Sequence, residues 1–265
     1  MVINNMTPVY KVSILVCCLV IWRIWTPSVL ASPGAGERFH NETKLEDSGI
    51  IIISGLKGKG EVVKMNRVKL PEPDYRGLSV EEAVDLRRSV REFINKPLEL
   101  KMLSQLLHAA QGITGRFGKH RLRAAPSAGA LYPFEIYIVV NQVKNLERGI
   151  YHYIPEEHAL EAVRLGDFGR DITKVALGQG VMRDCAAVFV LSAVFDRTTV
   201  KYEDRGYRYI YMEAGHIGEN IHLEAVSLNL GAVPVGAFYD DLLNKLLGID
   251  GKKEGAISLY AVGEK

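Results

Sequence analysis

An arginine-rich segment follows the first predicted helix of this chain. Arg87, Arg88 and Arg91 surround Ser89 within five consecutive positions. An arginine side chain presents a permanently charged fork that matches phosphate oxygens, and a serine hydroxyl adds a short donor beside it. The segment is therefore a candidate phosphate-binding site. A solvated basic turn is the alternative, because surface arginine is common.

A loop of small residues is a second candidate site. It runs through Pro126, Ser127, Ala128 and Gly129, shortly before a predicted strand that begins at Phe134. Residues without bulky side chains let a backbone approach a ligand closely. The loop could therefore lie against a flat ligand.

Two other kinds of site fit the sequence poorly. His216, Glu219 and His222 could suggest a metal hydrolase, but histidines six positions apart lie about 240° around a helix and cannot share one ion. A nicotinamide-binding Rossmann domain needs G-x-G-x-x-G between a strand and a helix. Gly178-Gln179-Gly180 lacks the third glycine, and the glycines at 55–60 have the wrong spacing. We expect no metal, and NAD(P)H only as a diffusible reductant.

Composition narrows the class of protein. The 265 residues are 48% hydrophobic and 24% charged, which is typical of a globular chain with a substantial core. The net charge is only +2, and no basic run is interleaved with aromatic residues. We therefore expect no nucleic-acid partner.

The amino terminus is typical of a secretory signal peptide. Lys11 precedes an apolar run at 12–22, and small residues around Ala31 offer a cleavage position. Arg23 interrupts the apolar stretch before it reaches the roughly 20 residues of a membrane span. We expect a signal over 1–31, cleavage before Ser32, and export to the periplasm or outside the cell. A membrane anchor through an uncleaved signal is the alternative.

The remaining chain divides into a tether or arm over 32–69 and a folded domain over 70–265. Cys17 and Cys18 lie in the predicted signal, so the mature chain contains only Cys185. One thiol cannot form an internal disulfide or a paired-cysteine metal site. Because Cys185 opens an apolar run, we expect it to be buried and inert.

Helix and strand patterns alternate through the folded domain. Ser79 and Glu82 form a capping box for a helix that runs into Arg87, and a second helix is predicted from Pro97 to Gly112. Strands are predicted at 134–140, with alternating exposure, at 186–194, in a central position, and at 256–262. A short helix is predicted over 240–247, capped by the aspartates at 240 and 241.

A long helix is predicted from Tyr207 to Leu230, with Gly231 as its stop. Ile210, Ala214 and Ile217 begin one apolar stripe. A second stripe occupies 212, 216, 223, 226 and 230. Apolar residues on more than one side indicate a helix that is buried in the fold or against a partner chain.

Several further motifs follow one another along roughly 70–263. They are RRSVREF, APSAGALYPFEIYIVV, LERGIYHY, KYEDRGYRYIYMEAGH, GAVPVGAFYDDLLNKLLGI and YAVG. In this order they resemble the nitroreductase superfamily, and specifically its SagB-type branch, which includes thiazoline and oxazoline dehydrogenases. The resemblance implies an α+β, nitroreductase-like FMN-binding sandwich with a long buried helix, assembled as a homodimer with flavin at the subunit interface.

The resemblance also implies roles for particular residues. Arg87, Arg88, Ser89 and Arg91 would bind the phosphate, ribityl and pyrimidine side of FMN. The Pro126–Gly129 loop, which includes Ser127 and Ala128, would come from the second subunit and cover the flavin ring. Backbone amides of the segment Pro234, Val235, Gly236 and Ala237 would approach the ring, and Gln179 is a weaker candidate for a polar contact with it.

The resemblance assigns proton transfer to Lys201 and Tyr202, which would act with hydride transfer between FMN and a small-molecule or peptide-derived substrate. An exposed lysine and a packed tyrosine are the alternative. The chain has Glu219 where the branch usually has glutamine. A non-catalytic flavin-binding or interaction protein on the same fold is the competing function.

Overall fold

The computed structural model describes residues 34–47, 67–118 and 120–265. The predicted signal peptide over 1–31 and its two cysteines lie outside these ranges. Within the described ranges, no helix combines the length and apolarity needed to span a membrane.

A seven-stranded antiparallel sheet forms the centre of the fold. The described residues form these strands, of which two lie outside the main sheet: β1 (Arg67–Lys69), β2 (Ile113–Phe117), β3 (His120–Arg123), β4 (Phe134–Val140), β5 (Gly149–Ile154), β6 (Ala159–Leu165), β7 (Ala187–Val194), β8 (Leu230–Val235) and β9 (Glu254–Glu264). β2 and β3 form a separate hairpin. The other seven follow the order β1-β6-β5-β4-β7-β9-β8, and each neighbouring pair is antiparallel.

Helices cover both faces of this sheet. They are α1 (Ala35–Glu42), α2 (Val80–Leu86), α3 (Leu100–Gln111), α4 (Gly169–Val175), α5 (Val181–Asp184), α6 (Asp196–Tyr202), α7 (Arg205–Ser227) and α8 (Asp240–Leu247). Leu106 of α3 and Ile217 of α7 belong to one hydrophobic core, and Ile172 of α4 and Leu246 of α8 to the other. Each such fully buried side chain contributes roughly 1.5 to 3 kcal/mol. The predicted α+β sandwich is confirmed.

The sheet's central strands are apolar on both faces. Ile138 of β4 packs into the first core and Val139 into the second. The predicted alternating exposure of this strand is therefore wrong, because helices cover both sides of it. β7 lies between β4 and β9, as its apolar run predicted. Cys185, just before β7, is fully buried, and this burial raises the pKa of its thiol to about 12.

Three predicted helix boundaries need correction. α7 runs from Arg205 to Ser227 rather than from Tyr207 to Leu230, because Asn229 adopts a left-handed conformation (φ 57°) and β8 starts at the next residue. α3 begins at Leu100 rather than at Pro97, since Leu98 is paired with Val143 in an isolated bridge. α8 has Tyr239 at its cap position, so Asp240 and Asp241 occupy the first turn.

Two parts of the predicted tether or arm pack on the domain. β1 pairs with β6 at the edge of the sheet. The amino end of α1 is capped by Asp204, whose Oδ1 accepts hydrogen bonds from the N–H groups of Gly36 (2.6 Å) and Glu37 (3.0 Å). His40 of α1 is buried, and its Nδ1 lies 2.7 Å from the Tyr211 hydroxyl. α1 therefore rests on the first turns of α7.

Candidate functional site

The arginine-rich segment lies along the edge of the sheet. The capping box at Ser79 and Glu82 starts α2 as predicted, and the helix ends with Arg87 at its carboxyl cap. The chain then runs beside β8, where Ser89 forms a parallel bridge with Ala232 and the Val90 N–H donates to the Ala232 carbonyl (2.9 Å). This pairing places the arginines alongside β8, whose last two residues begin the predicted segment 234–237.

The three arginine side chains differ in their partners. Arg87 Nε lies 3.7 Å from Glu219 Oε1 on α7. Arg88 Nη1 donates to the carbonyls of Asp85 (2.8 Å) and Arg87 (2.7 Å). Arg91 is exposed and makes no ion pair with any other described residue. Arg91 is therefore the member of the segment with a cation available to an anionic ligand.

The residues after β8 form an open surface beside this segment. Pro234, Gly236 and Ala237 are exposed, whereas the Val235 side chain is buried in the second core. A Cβ added to Gly236 would meet no atom within 4 Å. The Gln179 side-chain amide donates to the Ala237 carbonyl (3.2 Å), so it is held against the segment. We define the phosphate-side cluster as the arginine-rich segment and the residues beside it: Arg87, Arg88, Ser89, Arg91, Gln179 and Pro234–Ala237.

The small-residue loop contacts the predicted catalytic pair. A Cβ built on Gly129 would lie 2.7 Å from Lys201 Nζ and 2.9 Å from the Tyr202 hydroxyl. Gly129 has φ 63°, a left-handed conformation that glycine adopts without steric cost. Only a residue without a side chain lets the backbone approach both groups. We define the loop-side cluster as the Pro126–Gly129 loop together with Lys201 and Tyr202.

Strained backbone surrounds the loop-side cluster. Ala130 (φ 53°) and Tyr132 (φ 46°) follow Gly129, and Glu203 (φ 49°) follows Tyr202. Non-glycine residues in this region cost about 1 to 3 kcal/mol each and concentrate at functional sites. The backbone strain therefore indicates a functional site here, independently of the residue types that form it.

Lys201 and Tyr202 end α6 and lie against the start of α7. Lys201 Nζ is 5.2 Å from the centre of the Tyr202 ring, which meets the Tyr209 ring edge-on at 4.9 Å. The Arg205 guanidinium lies 6.0 Å from the Tyr209 ring. Lys201 is exposed and Tyr202 is half-buried. These groups could exchange protons with a ligand that lies on the loop.

A buried carboxyl group that the sequence reading missed lies beneath the loop. Glu213 of α7 is only 3% exposed, and the side chains of Ser127 and Gln111 lie close to its carboxyl group. Burial raises the pKa of Glu213 to about 7, although Ser127 and the Arg123 charge oppose this shift. The signal was present in the sequence, because Glu213 follows Ile210 by three positions on an otherwise apolar stripe.

The two clusters occupy different parts of one chain. The phosphate-side cluster contacts α7 at Glu219, and the loop-side cluster contacts it at Tyr209. These positions are roughly 15 Å apart along the helix axis. The two histidines near Glu219 have different surroundings. His216 is exposed, whereas His222 is buried and meets the Tyr260 ring edge-on.

Comparison with known proteins shows the family and the fold. The sequence profile of the nitroreductase family matches residues 84–264. A protein of Methanocaldococcus jannaschii, described as a candidate nitroreductase, is 42% identical over 193 residues, which cover 73% of this chain and 94% of that protein. The trifolitoxin-processing protein TfxB of Rhizobium leguminosarum is 29% identical over 62% of this chain, and the match spans only 47% of TfxB.

Solved structures share the fold. A candidate nitroreductase from Anabaena variabilis aligns over 93% of this chain and 53% of its own, with a TM-score of 0.67 and 30% identity. A more distant fold neighbour from Desulfovibrio desulfuricans was crystallised in complex with FMN. It aligns over 71% of this chain and 87% of its own, with a TM-score of 0.50 and 15% identity.

Proposed function

Because the chain belongs to the nitroreductase family, we propose that it is an FMN-dependent oxidoreductase of the SagB-type branch. It transfers hydride between the flavin and a small-molecule or peptide-derived substrate. The contact of Gly129 with both Lys201 and Tyr202 carries this proposal. It joins a loop suited to a flat ligand with two groups that can move protons.

The phosphate-side cluster fits the anionic end of FMN. Arg91 presents a guanidinium group with no carboxylate partner among the described residues, and Arg88 lies beside it in an extended segment. Charge-assisted bonds of this kind are the strongest hydrogen bonds that a protein offers a phosphate. The backbone around Gly236, where an added Cβ would meet no atom within 4 Å, leaves room for the flavin ring that the resemblance places there.

The loop-side cluster supplies the proton chemistry. Bound FMN supplies the hydride acceptor or donor, which no amino-acid side chain provides. Lys201 Nζ and the Tyr202 hydroxyl hold or remove the proton that a substrate loses when hydride leaves it.

A homodimer brings the two clusters together. Within one chain the clusters lie apart, so a complete site needs the phosphate-side cluster of one chain and the loop-side cluster of another. Exposed apolar side chains support such an assembly: Val80 of α2 is 70% exposed and Met212 of α7 is 54% exposed. Val80 and Leu223 line one shallow cavity of 290 Å³ between these helices. A symmetric pairing across this surface would bury them.

The relatives support two substrate classes. TfxB is named for the processing of a peptide toxin, which favours a peptide-derived substrate and agrees with the Lys201–Tyr202 pair. The archaeal relative is described as a candidate nitroreductase, and the match spans 94% of its length. That likeness favours a small-molecule acceptor, with NAD(P)H as the diffusible reductant.

Export remains part of the proposal. It rests on the apolar run after Lys11 and the small residues around Ala31. Native protein that begins at Ser32 and is recovered outside the cytosol would support export. Native protein that begins at Met1 and is recovered with the cytosol would reject it.

Purification of the protein tests the cofactor and the activity separately. We expect a flavin absorption spectrum and, after denaturation, stoichiometric release of FMN rather than FAD. Anaerobic addition of NAD(P)H or an azoline peptide should then bleach the flavin. A colourless protein that FMN cannot reconstitute would refute the cofactor assignment. A loaded protein that neither donor reduces would indicate the non-catalytic alternative.

A further inference from the structure

The carboxyl group of Glu213 lies directly beneath the loop that contacts Lys201 and Tyr202. The Ser127 side chain lies close to the Glu213 carboxyl group, and Ser127 Oγ accepts the Tyr132 N–H (2.9 Å). Two positions further along the same loop, Gly129 meets Lys201 and Tyr202. Glu213 therefore lies beside one end of a short segment whose other end meets Lys201 and Tyr202.

Glu213 lies among buried apolar residues of its own helix. On α7 it is flanked by the buried residues Ile210, Ala214 and Ile217. Its Oε1 has no hydrogen-bond partner among the described residues, and the same is true of both amide atoms of the buried Gln111. A buried carboxylate without enough donors is costly, whereas a neutral carboxyl group is not.

The groups that face Glu213 are few. β3 contributes Arg123, α3 contributes the neutral Gln111 and the loop contributes Ser127. One turn earlier on α7, Tyr209 faces Tyr202. Arg123 is also engaged by Glu156 (3.4 Å) and stacks over the Tyr132 ring (5.1 Å). The charge of Arg123 is therefore shared rather than dedicated to Glu213.

We propose that Glu213 is a positioning residue that keeps the Pro126–Gly129 loop closed on Lys201 and Tyr202 while it is protonated, and that its ionisation opens the loop. Opening exposes the carboxylate to water, so the open state favours the ionised form. The closed state favours the protonated form, because burial raises the pKa of Glu213 to about 7. By linkage, the loop loosens as the pH rises through neutrality.

Hydrogen exchange of the loop tests this inference without any flavin. After correction for intrinsic exchange, the opening equilibrium of residues 126–132 in the cofactor-free protein should rise about tenfold between pH 6 and pH 8. Glu213→Gln, which keeps the shape but cannot ionise, should remove this pH dependence. The matched control is Glu224→Gln, because Glu224 lies on the same helix and burial also raises its pKa. That variant should behave like wild type.

A second variant covers the case in which Glu213→Gln does not fold. Ser127→Ala removes a hydrogen bond that favours the ionised carboxylate, so the midpoint of the exchange profile should move to higher pH. A wild-type loop with no pH dependence, or a Glu213→Gln protein that follows the wild-type profile, would overturn the inference.

The kinetic consequence alone rests on the proposed function. The value of kcat/KM should fall above about pH 7 in wild type, and this falling limb should be absent in Glu213→Gln. A protein that lacks flavin or turnover but shows the expected exchange profile would refute the proposed function and leave the role of Glu213 in place. Unchanged falling limbs in both proteins would refute that role.

Discussion

Arg87 at the end of α2 and Glu219 on α7 form an ion pair, with Arg87 Nε 3.7 Å from Glu219 Oε1. Both side chains are partly exposed. The pair places a carboxylate in the phosphate-side cluster, at a position where the SagB-type branch usually has glutamine. A phosphate that binds Arg87 must compete with this carboxylate.

Glu219→Gln should therefore strengthen FMN binding. An exposed ion pair is worth roughly 0.2 to 1 kcal/mol, so the expected gain in affinity is at most about fivefold. Titration of the cofactor-free protein with FMN measures it. The gain should shrink at 1 M salt, since salt screens exposed charges. Equal or weaker binding by the variant would show that Glu219 does not compete with the phosphate.

Arg91 and Lys201 should affect different steps. Arg91→Ala removes a charge-assisted contact worth roughly 1.5 to 3 kcal/mol, so FMN affinity should fall about tenfold to a hundredfold. Lys201→Ala should leave the flavin bound and slow its reduction by substrate by roughly 10²- to 10⁴-fold. FMN titration and stopped-flow reduction measure the two effects. Lys245→Ala, which changes an exposed lysine of α8, is the control. If Lys201→Ala lost FMN while Arg91→Ala kept it, the roles assigned to the two residues would be wrong.

Gly129→Ala should reduce turnover by more than its cost in stability explains. Its Cβ would lie 2.7 Å from Lys201 Nζ, so either the loop or the lysine must move. Gly248→Ala is the matched control, because Gly248 is also left-handed (φ 82°) but a Cβ there would meet no atom within 4 Å. Both changes should destabilise the fold by about 1 kcal/mol. Equal kcat values for the two variants would argue against the loop contact.

The free energy of unfolding should depend on pH through Glu213. Its pKa is about 7 in the folded chain and near 4.5 in the unfolded chain. Between these values the folded state binds more protons, so the contribution of Glu213 to stability is lost as the pH rises. The free energy of unfolding of Glu213→Gln, relative to that of wild type, should therefore rise by up to about 3 kcal/mol between pH 4.5 and pH 8. Urea unfolding of both proteins at pH 4.5 and at pH 8 measures this change. A difference in stability that is the same at both pH values would contradict the prediction.

Local signals in the sequence predicted the elements that have strong local causes. The capping box at Ser79 fixed the start of α2, and the unbroken apolar run before Val194 indicated the central strand β7. The hairpin β2–β3 and the strands β5 and β6 were not predicted as elements. Each of them pairs with a neighbour in the sequence, but their residues mix charged and apolar types without a clear alternation, and strand preference depends strongly on context.

The site was predictable in composition but not in geometry. Residue types and motif order pointed to Lys201, Tyr202 and the small-residue loop, yet only the fold shows that Gly129 touches both side chains. The buried position of Glu213 was also missed, because a glutamate in a helix usually faces solvent. The apolar stripe of α7 was the available signal, but it did not show that α3 packs against this part of α7.

A site shared between two chains is the central claim, and complementation between two inactive variants tests it most directly. One chain would carry Arg87→Ala and Arg91→Ala, and the other Lys201→Ala, with a different affinity tag on each. Heterodimers purified through both tags contain one site with two intact clusters and one site with neither intact. At limiting FMN, we predict that heterodimers recover about half of the wild-type turnover per dimer, while each parent homodimer is nearly inactive. Heterodimers no more active than their parents would contradict the shared site.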